Sequence, residues 1–142
     1  MEALFTKMIL ELHDLPYETR LQRLNLTTLE TRRIRSDLIE VFKIIHGFED
    51  IYPNTFFSFS DSITRGHPHK IYKQFSRLNL RKYFFSQRVV DIWNSLPASA
   101  VLASTVNEFK GHVDKFLKDI VLGAYMSQRT GSLLLHPPPT NP

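Results

Sequence analysis

One stretch of this chain leaves little choice of local structure. Ile34, Leu38, Val41, Phe42 and Ile45 recur at i, i+4, i+7, i+8 and i+11, the spacing that lines apolar side chains along one face of an α-helix. Thr27-x-x-Glu30 precedes the stripe with the spacing of a capping box, in which two side chains satisfy each other's free backbone donors. Gly47 follows as a left-handed helix stop. A helix bounded in this way has to bury its stripe against something, and the rest of the chain must supply that surface.

Two further stripes do so. Val106, Phe109, Val113, Phe116, Leu117 and Ile120 form the longer one, with Ser104 or Thr105 as cap, Thr105-x-x-Glu108 again at capping-box spacing, and Gly123 as the expected stop. Val89, Ile92, Trp93 and Leu96 form the shorter one, capped by Ser86 and ended by Pro97. Nearer the N-terminus, Pro16 suits a first helical position. Tyr17, Leu21 and Leu24 continue from it as a short amphipathic helix, and Leu4–Leu12 is weakly helical.

Between the two long stripes the pattern breaks. Phe48–Ser60 is an aromatic loop (Tyr52, Phe56, Phe57, Phe59) punctuated by Pro53 and Asn54. Thr64–Lys82 is basic, and Gly66 and Pro68 rule out a long helix there; Ile71-Tyr72-Lys73 and Leu78-Asn79-Leu80 read as two short strands. The expected fold is therefore mainly α, four or so helices with a small irregular or two-stranded insertion, forming one helical domain over residues 1–123. From Ala124 the pattern decays into LLLHPPPTNP, so residues 124–142 are expected to be a disordered Pro-rich tail.

Composition narrows the function. At 142 residues and 42% hydrophobic content the chain can bury a core without staples. It has no cysteine, which removes disulfides and thiolate metal sites. No apolar run approaches the roughly 20 residues of a membrane span, and Glu2 and Glu11 break the N-terminus as a signal peptide. The expectation is an intracellular protein of cytoplasm or nucleus, not secreted, with no membrane and no small-molecule partner.

The net charge of +4 is unevenly spread. Between Ser62 and Arg88 stand Arg65, Lys70, Lys73, Arg77, Arg81, Lys82 and Arg88 with no acid among them, interleaved with Tyr72, Phe75, Tyr83, Phe84 and Phe85. Cations neutralise phosphates independently of sequence, and aromatic faces stack on unpaired bases. The candidate nucleic-acid contacts are Arg65, Lys70, Tyr72, Lys73, Arg77, Arg81 and Lys82, with four to six of the cations of the segment expected to reach phosphates. Arg88 opens the Trp93 helix and is set aside as structural, and Phe84, Phe85 and Trp93 are assigned to the core.

Other groupings read as plain structure. His67-x-His69 lacks the third and fourth ligands a metal wants and is expected to be a surface pair in the basic loop. No nucleophile elbow or Ser/His/Asp grouping is present. Arg32, Arg33 and Arg35 oppose the helix dipole slightly and have Glu30, Asp37 and Glu40 near enough to pair along the same helix. Asn94-Ser95 is the expected frayed end before Pro97.

Three segments together resemble one family: LQRLNLTTLETRRIRSDLIEVFKIIHG (Leu21–Gly47), SRLNLRKYFFSQRVVDIWNSLP (Ser76–Pro97) and STVNEFKGHVDKFL (Ser104–Leu117). In order they carry an arginine pair (Arg32, Arg33), F-K-x-x-x-G (Phe42, Lys43, Gly47), F-x-x-R-x-x-x-x-W-N-x-L-P (Phe85, Arg88, Trp93, Asn94, Leu96, Pro97) and a second F-K (Phe109, Lys110). This succession is similar to the region after the polymerase domain in jockey-like and chicken-repeat-like non-LTR retrotransposon reverse transcriptases, over about Phe5 to Leu117. The reverse transcriptases themselves use a paired-aspartate turn to hold two metal ions, and no Asp-Asp pair occurs in this chain.

The resemblance implies a non-catalytic accessory region of an RNA-directed DNA polymerase, without cofactor or metal. It implies contact with template RNA or target DNA, with RNA or single-stranded DNA as partner and the polymerase domain of the same element as a second one. The alternatives are a stand-alone protein-interaction module that uses the Tyr52–Phe59 loop, or an inert truncated relic of the element. Its structural anchors are Phe42, Gly47, Phe85, Trp93, Pro97 and Phe109. If Trp93 is such an anchor, Trp93→Ala costs roughly 3–5 kcal/mol of stability in urea unfolding; a loss below about 1 kcal/mol would mean that the ring lies at the surface.

Overall fold

The stripe from Ile34 to Ile45 does become a helix, and the architecture follows from how it is covered. In a computed structural model, which describes residues 2–61, 65–75 and 77–132, the chain is mainly α. Its helices are α1 (Glu2–Lys7), α2 (Tyr17–Arg23), α3 (Leu29–Ile45), α4 (Asn79–Lys82), α5 (Phe85–Arg88), α6 (Val90–Asn94), α7 (Ala98–Val101) and α8 (Val106–Ser132). α3 packs along α8. Leu38, Val41, Phe42 and Ile44 meet Phe109, Val113 and Leu117, all buried, in a core that α6 and α7 close with Val90, Trp93, Ala100 and Val101. At its centre the Phe42 and Phe109 rings stack with centroids 4.2 Å apart, and Trp93 leans on Phe109 at 6.0 Å.

The helix ends follow local chemistry, with small shifts from the expected positions. Thr28, rather than Thr27, caps α3: its hydroxyl accepts from the Thr31 N–H at 3.2 Å, so a Thr–Thr cap replaces the Thr27–Glu30 box. At the other end Gly47 adopts φ 73°. Phe48 N–H donates back to Lys43 O at 2.8 Å and Gly47 N–H to Ile44 O at 3.4 Å, a Schellman closure. For α8, Glu108 N–H donates to the Thr105 hydroxyl at 3.1 Å while the Glu108 carboxylate accepts from Ser104 N–H at 2.9 Å.

Several expectations are corrected. α8 runs through Gly123 to Ser132, so Gly123 does not stop it. A glycine inside a helix costs only about 1 kcal/mol, too little to end one unless it turns left-handed. The Pro-rich residues 133–142 lie outside the described residues. Leu78–Leu80 is no strand: Arg81 N–H closes a turn on Leu78 O at 3.1 Å, and Asn79–Lys82 is helical. Ser86 caps nothing, because α5 begins at Phe85 with Phe84 as its cap residue. Phe84 is 56% exposed and does not belong to the core, whereas Phe85 is half-buried against it.

The insertion is held by a latch around Trp93 and Asn94. Phe59 and Ile71 form an isolated antiparallel bridge, flanked by Ser60 N–H to Lys70 O at 3.0 Å and Tyr72 N–H to Ser58 O at 2.6 Å. The N–H and C=O of Ile71 itself point the other way, as they must at a non-hydrogen-bonded pair. The Asn94 side chain takes both, accepting from Ile71 N–H at 2.9 Å and donating to Ile71 O at 2.8 Å, in the place of a third strand. Beside it the Trp93 indole N–H donates to His69 O at 2.8 Å. Asn94 is therefore a structural tie and not a frayed end.

His67 completes the latch and is not the surface residue expected. It is 2% exposed, edge-on to Trp93 at 5.8 Å, and its Nε2 lies 3.0 Å from Trp93 O. A carbonyl only accepts, so Nε2 carries the proton, and buried Nδ1 has no hydrogen-bond partner. Burial, with Lys70 and His69 nearby, pushes its pKa below the usual histidine value; His69, also partly buried and facing His46, is pushed the same way.

At the N-terminus α1 and α2 form a separate small hairpin. It buries Leu12 and Leu21 and ties the Arg20 guanidinium to Ala3 O at 2.9 Å.

A histidine held neutral in the folded state binds fewer protons there than when unfolded. Its stabilising contribution is complete above the ordinary histidine pKa near 6.5 and is lost as the pH falls below it. The unfolding free energy from urea titrations is expected to fall from pH 7.5 to 5.5, by at most about 1.4 kcal/mol per pH unit for each such group, and the midpoint with it. His67→Gln should flatten this dependence. A midpoint that rises on acidification would show that the imidazole is not buried neutral.

Candidate nucleic-acid interface

The residues predicted to bind nucleic acid do not all line one groove. Lys73, Arg77 and Lys82 line an open groove of about 750 Å³, with Phe75, Arg88 and Asp91. The side chains of Gln74 and Gln87 complete its wall. Its lining joins Lys73, Gln74, Phe75 and Arg77, which follow the latch in sequence, to Lys82 of α4, Gln87 and Arg88 of α5 and Asp91 of α6.

Arg65, Lys70, Tyr72 and Arg81 do not line it. The Lys70 ammonium donates to Arg65 O at 2.5 Å. Tyr72 is 60% exposed beyond the bridge. Arg81 is exposed on α4 next to Lys82.

Ion pairs decide how much of the groove's charge is available. The Lys73 ammonium is paired with Asp91 of α6. Arg88 grips Asp37 of α3 with two bonds of 2.8 Å and also donates to Tyr83 O at 3.1 Å. The Asp37 carboxylate raises the Arg88 pKa further into the always-charged range. Arg77 and Lys82 are exposed, and neither side chain makes an ion pair or hydrogen bond among the described residues. The groove thus has two unmatched cations and one exposed aromatic ring, Phe75.

The arginines of α3 are corrected in the same way. Arg35 pairs with Asp114 of α8 on the flank of the helix pair, at 2.5 and 3.1 Å, which holds the Asp114 carboxyl below its usual pKa. Asp37 serves Arg88. These acids and bases clamp helices together rather than pairing along one helix. Arg32 bonds Thr27 O at 3.3 Å, and Arg33 is exposed beside Glu30.

The aromatic side chains also sort differently. Phe75 is 87% exposed at the groove, while Phe57, assigned to the sticky loop, is buried in the core. Tyr52 and Phe56 of that loop are exposed, as are Phe48 and Ile51 before them. The sequence offers Phe75 among five rings able to stack, but only Tyr72 stands among the candidate contacts. Phe75 belongs to no periodic stripe and sits between Gln74 and Ser76, a pattern that marks a ring without a core role. Asp91 was missed because it lies just beyond the acid-free segment.

Among the described residues no group of three or more His, Cys, Asp or Glu converges to hold a metal ion. No helix among them is long and apolar enough to cross a membrane. No protein-family model, curated protein or solved structure matches this chain.

The cations should separate by their effect on stability. Arg88→Gln strands the mostly buried Asp37 carboxylate and should cost roughly 1–3 kcal/mol, between the values for surface and buried pairs. Arg77→Gln and Lys82→Gln should each stay within about 0.5 kcal/mol of wild type, as ordinary surface changes do. Equal losses at all three positions, measured by urea unfolding, would contradict this division.

Proposed function

We propose that this chain is a non-catalytic accessory region of a non-LTR retrotransposon reverse transcriptase that binds RNA or single-stranded DNA beside the polymerase. The observation that carries the reading is the groove, where Arg77 and Lys82 stand without counter-charges around Phe75. Unmatched cations beside an exposed aromatic ring suit a polymer with phosphates on one side and flat bases on the other.

The residues behind the resemblance support the same reading. Phe42, Trp93 and Phe109 meet in one core, Arg88 braces α5 against α3, and Asn94 holds the strand that leads into the groove. On this reading the motifs build the support, and the contacts fall on the segment between them. The absence of an Asp-Asp pair in the chain leaves the two-metal chemistry to the polymerase domain.

The test is fluorescence anisotropy with labelled RNA and single-stranded DNA over a salt series. Arg77 and Lys82, with Lys73 exchanging Asp91 for a phosphate, amount to two or three contacts. Log affinity should therefore fall against log salt with a slope of about −1.4 to −2, at about −0.7 per contact. Arg77→Gln with Lys82→Gln should flatten the slope by about 1.4 and weaken all sequences alike, since phosphate contacts carry no base information. Wild-type binding that is insensitive to salt, or unchanged in the double variant, would remove the groove from consideration.

A further inference from the structure

Phe75 is the most conspicuous ring outside the core. It is 87% exposed, lines the groove, and lies in no ring–ring contact among the described residues. An apolar ring kept in water inside a concavity gains nothing for the fold, because its removal from water is what would stabilise it. The other residues that line the groove are polar, among them Arg77, Lys82, Gln74 and Gln87. The Gln74 amide nitrogen donates to the Ser58 hydroxyl at 3.4 Å, which leaves its carbonyl oxygen as an acceptor.

We propose that Phe75 is the base-stacking residue of this groove: an unpaired base lies on its ring, Arg77 and Lys82 hold the adjoining phosphates, and the two glutamines face the base edge. The proposal rests on the nucleic-acid reading above and adds the form of the ligand. In a duplex the base faces are covered by their neighbours and only edges and phosphates are presented. A free phenyl ring therefore favours a single strand, where every base offers a π-face whatever its identity. The division of labour follows. Arg77 and Lys82 contribute to affinity for any nucleic acid, and Phe75 contributes only where bases are unpaired.

The full chain is titrated by anisotropy against a labelled oligothymidylate of about 15 nucleotides and a blunt duplex of the same length. Phe75→Leu keeps an apolar side chain but removes the ring; at an exposed site it should melt with wild type. It is expected to weaken the single strand by roughly 5- to 100-fold and leave the duplex unchanged, while Phe75→Trp binds the single strand at least as well as wild type. Arg77→Gln with Lys82→Gln should weaken both probes. If wild type binds and Phe75→Leu weakens both probes equally, or neither, the stacking role is overturned while the broader reading stands. If wild type binds neither probe, both fall. Tighter binding to phosphatidylserine vesicles than to either oligonucleotide, lost in Phe75→Leu, would overturn it in favour of an anionic lipid surface.

Discussion

Trp93 has to satisfy two demands at once. Its ring is fully buried against Phe109, yet its indole nitrogen is a donor that cannot be left unpaired without a cost of about 1–3 kcal/mol. The acceptor is His69 O, on a segment far from α6 in sequence. Because the core positions the indole, the indole positions the insertion. Asn94 and His67 add bonds to the same short stretch, so a region with one isolated bridge and no strand among the described residues is pinned at three neighbouring points.

The rest of the molecule is arranged around that fixed point. α3 and α8 cover each other's apolar faces, and the charged residues on their flanks act as cross-ties: Arg35 to Asp114 and Arg88 to Asp37. Each tie consumes a cation that composition alone would count as available to a polyanion. What remains without an ion pair is a smaller charge than the basic segment suggests, and its share at the groove is Arg77 and Lys82. The proposed interface is therefore defined as much by the acids that silence Lys73 and Arg88 as by the cations themselves.

The helices were legible because their signals are local. A stripe such as Ile34 to Ile45, a cap at Thr105 and a left-handed Gly47 depend on neighbours within a turn or two, and each has its counterpart in the structure. Errors of one residue at Thr28 and of a whole segment at Gly123 arose where two local solutions differ by about 1 kcal/mol or less. The buried histidine was not legible. His67 lies in a basic, Gly- and Pro-containing stretch that looks solvated, and it is covered only because Trp93 draws the stretch inward.

By itself, the sequence determined the mainly helical class, the faces of α3 and α8, and the aromatic residues Phe42, Trp93 and Phe109 that had to meet. Those follow from periodicity and hydrophobicity, which act along the chain. Only the tertiary structure decided which cations are spent on Asp37, Asp91 and Asp114, and that Phe75 rather than Tyr72 faces the groove. An ion pair or a concavity depends on residues brought together from distant positions, such as Arg35 and Asp114. Coulomb attraction and exposure follow distance in space, which no spacing in the chain records.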